Sequence, residues 1–162
     1  MSKLPKKSRP DEVRRQLYDA AFCIVAARFN AEIVDELVNG ACKTLMENGV
    51  IESAIEIMRV PGAFEIPLAA KRAAESGRFD GIIALGAVIR GGTPHFDYVC
   101  AESVRGLGQV SLDADIPIGN GILTLDDMQQ AVDRTGGKEG HKGEEAALAA
   151  VEMVHLFREQ GS

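Results

Sequence analysis

Four short stretches of the chain gather residue types that could do chemistry together. Gly91-Gly92-Thr93 leaves an apolar run and precedes Pro94. Its backbone N–H groups, aided by the dipole of a following helix, would converge on an anion such as a phosphate. The same glycines could equally serve only a tight turn. His95 stands three residues after Gly92, where an imidazole could pass protons to a ligand resting on those amides; a structural histidine is the plainer alternative. The run Val60-Pro61-Gly62-Ala63-Phe64-Glu65-Ile66-Pro67 sets an aromatic ring beside a carboxylate on a backbone stiffened by two prolines. Phe64 and Phe29 are either core residues or walls for a flat heterocycle, with Glu65 accepting hydrogen bonds from hydroxyls. Phe29-Asn30 reads equally as a strand end followed by a helix cap. The fourth stretch is Gly121 to Thr124.

Other chemistries lack their signatures. No GxGxxG lies on a strand–helix turn and no GxxxxGK[ST] is present, so the usual phosphate loops of dinucleotide folds and nucleotide triphosphatases are missing. No metal-ligand spacing and no nucleophile–histidine–carboxylate set can be assembled. His141 sits in a glycine-rich connection, and His155 reads as a surface or satisfied residue late in the last helix.

Those stretches need elements to hold them. Ala20 to Arg28, Val50 to Val60, Gly81 to Ile89 and Ile116 to Leu123 read as strands of buried or β-branched type. Between them run helical patterns. Ile33, Val34, Leu37, Val38, Ala41 and Leu45 follow Asn30 as cap and stop at Asn48-Gly49. Pro67 opens a second helix that Gly77 ends. Thr93 caps a third, with Phe96, Val99, Cys100, Ser103, Val104 and Leu107 on one face. Thr124 with Asp127 resembles a capping box, and the last helix buries Ala146, Ala147, Ala150, Val151, Val154 and Phe157. Regular alternation predicts an α/β fold with a four-stranded parallel sheet and helices on both faces, whose ligands bind beyond the carboxyl ends of the strands.

The 162 residues, 46% apolar, suffice for one domain, expected over residues 16–162. Residues 1–15 carry Lys3, Lys6, Lys7, Arg9, Arg14 and Arg15 and read as a flexible basic tail. A net charge of -6 opposes nucleic-acid binding, and no apolar run is long enough for a membrane span. Cys23, Cys42 and Cys100 are odd in number and widely spaced, which suits reduced thiols and a cytoplasmic location.

At these positions the chain resembles the lumazine synthase family. The resemblance is carried by ARFN (Ala27 to Asn30), VPGAFEIP (Val60 to Pro67), GAVIRGGTPHFDYV (Gly86 to Val99), GILT (Gly121 to Thr124), QAVDRTGGK (Gln130 to Lys138) and HKGEEAALAAVEM (His141 to Met153). It covers roughly Ala20 to Arg158. It implies a three-layer, flavodoxin-like fold and a homopentamer with active sites between neighbouring subunits. It also implies that no metal or bound cofactor is needed. Phe29, Asn30, Ala63, Phe64, Glu65, Ala87, Val88 and Ile89 would hold a ribitylaminopyrimidine. Gly92, Thr93 and Arg134 would bind the phosphate of a four-carbon sugar phosphate, and His95 would carry protons. Lys142 would come from the adjacent subunit. The resemblance leaves open separate pentamers, a decamer or a closed shell, the short connection Gly136 to Gly140 resembling that of shell-forming members, and it suggests association with riboflavin synthase.

Two residues depart from the family pattern. Asn120 stands where an aromatic residue commonly stacks on the pyrimidine, and His141 where asparagine is frequent. Asn120 favours a second reading, a lumazine- or flavin-binding assembly protein with little turnover; a third, independent of that residue, is a flavodoxin-like electron-transfer module carrying flavin mononucleotide.

Overall fold

The structure is a computed structural model that describes residues 17–160; the basic tail expected at residues 1–15 lies outside them. Four parallel strands, β1 (Phe22–Ala27), β2 (Ile55–Val60), β3 (Gly81–Ile89) and β4 (Ile118–Leu125), form a sheet in the order β2-β1-β3-β4. The helices are α1 (Ala31–Glu47), α2 (Ile66–Glu75), α3 (His95–Ala114), the short α4 (Met128–Asp133) and α5 (Lys142–Glu159). Between α4 and α5 a small hairpin pairs β5 (Thr135–Gly137) with β6 (Gly140–His141).

Each strand face buries its own layer, giving the three-layer arrangement expected. Ile24, Ile83, Leu85 and Leu123 pack under α1 and α5 with Val34, Leu37, Ala147 and Val151. Cys23, Val25, Ile82 and Ala84 pack under α2 and α3 with Ile66, Ala70, Leu107 and Val110. The central strands are therefore buried on both sides and read as unbroken apolar runs. Strand β3 runs from Gly81 to Ile89 as expected.

The other strand bounds moved. Residues Glu52–Ala54 make a 3₁₀ turn, so β2 starts at Ile55 rather than Val50. Strand β4 is shifted to 118–125, because pairing with β3 runs on to Ile89↔Leu125; register with a neighbour, not local composition, sets its end. Phe157, expected in the core, is only half-buried near the end of α5. Among the described residues no helix is long and apolar enough to cross a membrane.

Candidate active site

Strand β1 lies between β2 and β3, and the chain leaves it in one direction before returning on the other side. The carboxyl ends of β1 and β3 therefore part at a topological switch point, where a crevice must open. A cleft of about 640 Å³ lies there. From the end of β1 it receives Phe29 and Asn30; from the turn after β2, Gly62, Ala63, Phe64 and Glu65; from the end of β3, Ala87, Val88 and Ile89.

The two phenyl rings are not core residues: Phe29 is 63% exposed and Phe64 60%. Gly62 makes room for one of them, since a Cβ there would come within 2.7 Å of the Phe29 ring. The backbone N–H of Phe29 donates to Pro61 O at 3.0 Å, locking the end of β1 to that of β2. Asn30 does not cap α1 with its side chain as expected. It adopts a left-handed backbone (φ 59°) and its amide nitrogen donates to Ala87 O at 2.8 Å, bridging the two lips of the crevice. Its carbonyl serves the helix instead, accepting from Ile33 and Val34. A 3₁₀ turn over Ala63–Glu65 leaves Glu65 half-buried at the cleft wall.

The glycine turn after β3 proves unusual in a useful way. Neither Gly91 nor Gly92 has a positive φ, and a Cβ built on either meets nothing within 4 Å. The conformational reading of those glycines therefore fails, while open space above a bare backbone remains. Thr93 does not cap α3; Pro94 takes the capping position without a side-chain bond, and the helix begins at His95. His95, Tyr98, Val99 and Glu102 all line the cleft, on one face at helical spacing. Tyr98 and Glu102 were missed from sequence, and counting the period from His95 instead of Phe96 would have found them. Of the helix face expected there, Ser103 and Leu107 are buried, but Val104 is 42% exposed.

Gly92 and Thr93 are exposed and line neither this cleft nor the next, and the remaining expected site residues lie elsewhere. Asn120 and Thr124 on β4, Arg134 after α4 and Lys142 at the start of α5 line a second cleft of about 320 Å³, with Glu139 and Glu145. The two clefts share no lining residue. Arg134 donates from Nη1 to Gln130 O at 3.1 Å, and its own carbonyl accepts from Lys142 N–H at 2.8 Å, so the backbones of the two residues are tied together. Asn120 turns its Oδ1 back to the N–H of Ile122 at 3.1 Å. The capping motif expected at Thr124 falls instead at Asp127, which accepts from the Gln130 N–H at 2.9 Å. His141 caps α5, its Nδ1 accepting from the Glu144 N–H at 3.2 Å. The imidazole rests over Gly40 of α1, where a Cβ would sit 2.1 Å from its Cε1.

His155 is half-buried, with both ring nitrogens out of reach of solvent. Among the described residues neither ring nitrogen has a hydrogen-bond partner, and burial, with the nearby Arg158, holds its pKa below the usual imidazole range. Burial also drives the Cys23 thiol up to about 12, so it is inert at neutral pH.

A three-layer, flavodoxin-like α/β protein with its main cleft at the switch point is the class that fold and geometry define. Residues 19–158 match the sequence model of a family described as 6,7-dimethyl-8-ribityllumazine synthase. A protein of that name from Halorhodospira halophila is 53% identical over 143 residues, covering 88% of this chain and 92% of the relative. The chain belongs to the 6,7-dimethyl-8-ribityllumazine synthase family.

Proposed function

We propose that the protein condenses 5-amino-6-(D-ribitylamino)uracil with 3,4-dihydroxy-2-butanone 4-phosphate to 6,7-dimethyl-8-ribityllumazine, releasing phosphate and water, in riboflavin biosynthesis. One observation carries this reading: exposed Phe29 and Phe64, Glu65 and His95 converge on a single cleft in a chain so similar to a relative named for that product.

The flat pyrimidine lies against Phe29 between the lips held by Asn30 and Ala87, and the ribityl hydroxyls donate to Glu65. Backbone N–H groups at Gly92 and Thr93 cradle the phosphate, and Arg134 supplies the opposing charge. The 5-amino group attacks the ketone and water leaves to give a Schiff base. Phosphate is eliminated, the resulting enol tautomerises to a ketone, and the ribitylamino nitrogen attacks that ketone with loss of a second water to close the ring. His95 moves protons in these steps. Both substrates are already reactive, so orientation, which can supply roughly 7–11 kcal/mol, outweighs one general acid/base at about 3–5 kcal/mol. The binding and catalytic roles need no metal or cofactor.

The division into two clefts supports a homopentamer in which Asn120, Arg134 and Lys142 of one subunit complete the first cleft of its neighbour. The exposed apolar side chains of Tyr98, Val104 and Leu112 along α3 give such a contact its burial. Higher assembly into a shell, association with riboflavin synthase and a cytoplasmic location belong to the same reading. Light scattering tests the ring: a mass about five times 17.3 kDa, or a multiple of that, is expected.

Purified protein given both substrates should yield fluorescent lumazine; none would refute the activity. Asn120 favours a second reading, a lumazine-binding assembly protein, which the same assay distinguishes by ligand binding without turnover.

A further inference from the structure

Arg90 lies between strand β3 and the glycine turn, and none of the roles above uses it. Its Nε donates to Asp126 Oδ1 at 2.9 Å, its Nη1 is 3.6 Å from Asp97 Oδ1, and its guanidinium lies 4.5 Å over the Phe96 ring. Its backbone N–H donates to Leu125 O at 2.7 Å. One planar group thus holds the end of β3, the end of β4 and the first turn of α3 at once. The chain of contacts continues beyond Asp126. The N–H of Asp126 donates to Gln130 Oε1 at 2.7 Å, and Gln130 O accepts from Arg134. This polar path connects the turn that follows β3, beside the first cleft, with the arginine in the second.

We propose that Arg90 is a positioning residue that sets the Gly92–Thr93 cradle and His95 of its own subunit's cleft and, through Asp126 and Gln130, the Arg134 that this subunit lends to its neighbour. The inference rests on the proposed phosphate site and assigns Arg90 no contact with substrate. Each of its ion pairs is solvent-exposed and weak alone. Three constraints on one rigid fork act together, which a lysine's single point charge cannot reproduce. Asp126 is held below the usual carboxylate range, first by its hydrogen bond from Arg90, so the pair stays charged at neutral pH. The rival assignment is that Arg90 binds phosphate directly, and it makes the opposite forecast for Asp126. Neutralising that carboxylate would then free the arginine and tighten anion binding.

The test uses the full-length protein and measures two things: steady-state constants for each substrate, and binding of inorganic phosphate alone by calorimetry. Arg90→Ala is expected to raise KM for the sugar phosphate and Kd for inorganic phosphate about ten-fold, with KM for the pyrimidine within about two-fold. Asp126→Asn should weaken phosphate in the same direction, the double variant should lose no more than the worse single one, and Arg90→Lys should recover only part. Unchanged phosphate affinity in Arg90→Ala would overturn the proposal, as would tighter phosphate binding by Asp126→Asn. Equal losses for both substrates, tracking a fall in Tm, would also overturn it. Should the wild type make no lumazine yet bind phosphate in an Arg90- and Asp126-dependent way, the proposed activity fails and the positioning role stands. A wild type that neither turns over nor binds phosphate removes both.

Discussion

The two clefts differ in how they are built. The first sits where β1 and β3 part, and backbone contacts such as Phe29 N–H to Pro61 O and the Asn30 bridge to Ala87 fix its shape. Its walls are mostly apolar, and its polar groups are few and separated. The second lies beside β4, an edge strand, and is lined by Arg134, Lys142, Glu139 and Glu145 around a small hairpin. Apolar walls with a few fixed polar groups suit recognition of a flat heterocycle, whereas exposed charges on a sheet edge suit an anion or a neighbouring chain. A sheet can therefore offer half a site at its switch point and half at its edge, and in the proposed homopentamer association of subunits joins the halves.

Substitutions should separate the two by which constant they move. His95→Ala, at the first cleft, is expected to lower kcat about 100-fold without abolishing turnover; wild-type kcat would reject the proton-transfer role. Arg134→Ala, at the second, should raise KM for the sugar phosphate about 30-fold, as loss of a hydrogen bond to a charged group of about 2 kcal/mol implies. An unchanged KM would refute the clamp. Phe29→Ala should weaken pyrimidine binding about ten-fold, while leaving phosphate affinity alone.

Smaller effects reach the supports of each cleft. Gly40 lies in the middle of α1 beneath the His141 ring. Gly40→Ala should lower stability by about 1 kcal/mol, or about 2–4 °C in Tm, by displacing that cap. In a His141→Ala background the same change should stabilise by a similar amount, because alanine is the better helix former. A destabilising effect in both backgrounds would show that the ring is not the obstacle.

The smallest expected effect lies at the far end from both clefts, at His155 near the end of α5. A histidine whose folded pKa is lowered binds protons more readily when unfolded. Its contribution is present above about pH 6.5 and is lost as the pH falls through the lowered folded value. His155→Leu should therefore lose less Tm between pH 7 and 5 than the wild type; an equal loss would place the acid sensitivity elsewhere.

Sequence made the first cleft more legible than the second. Strand types, their order and the residues at their ends follow from apolar runs and glycine or proline punctuation, so Phe29, Phe64, Glu65 and His95 were foreseen together. Caps were not, because the Asn30 side chain is drawn to Ala87 and Thr93 makes no cap, while backbone carbonyls and Asp127 serve the helices. The limits of β4 depended on pairing with β3. Arg90 escaped notice because Asp126 is 36 residues away, and no local pattern links them.

The central claim is that the aromatic cleft of one subunit meets the cationic edge of another. Co-expressed His95→Ala and Arg134→Ala chains, assembled at random and assayed well below the wild-type KM for the sugar phosphate, should reach about a quarter of wild-type activity, since about a quarter of all interfaces carry both intact halves. Activity no greater than that of the two variants measured apart would mean that histidine and arginine serve within a single chain, or not at all.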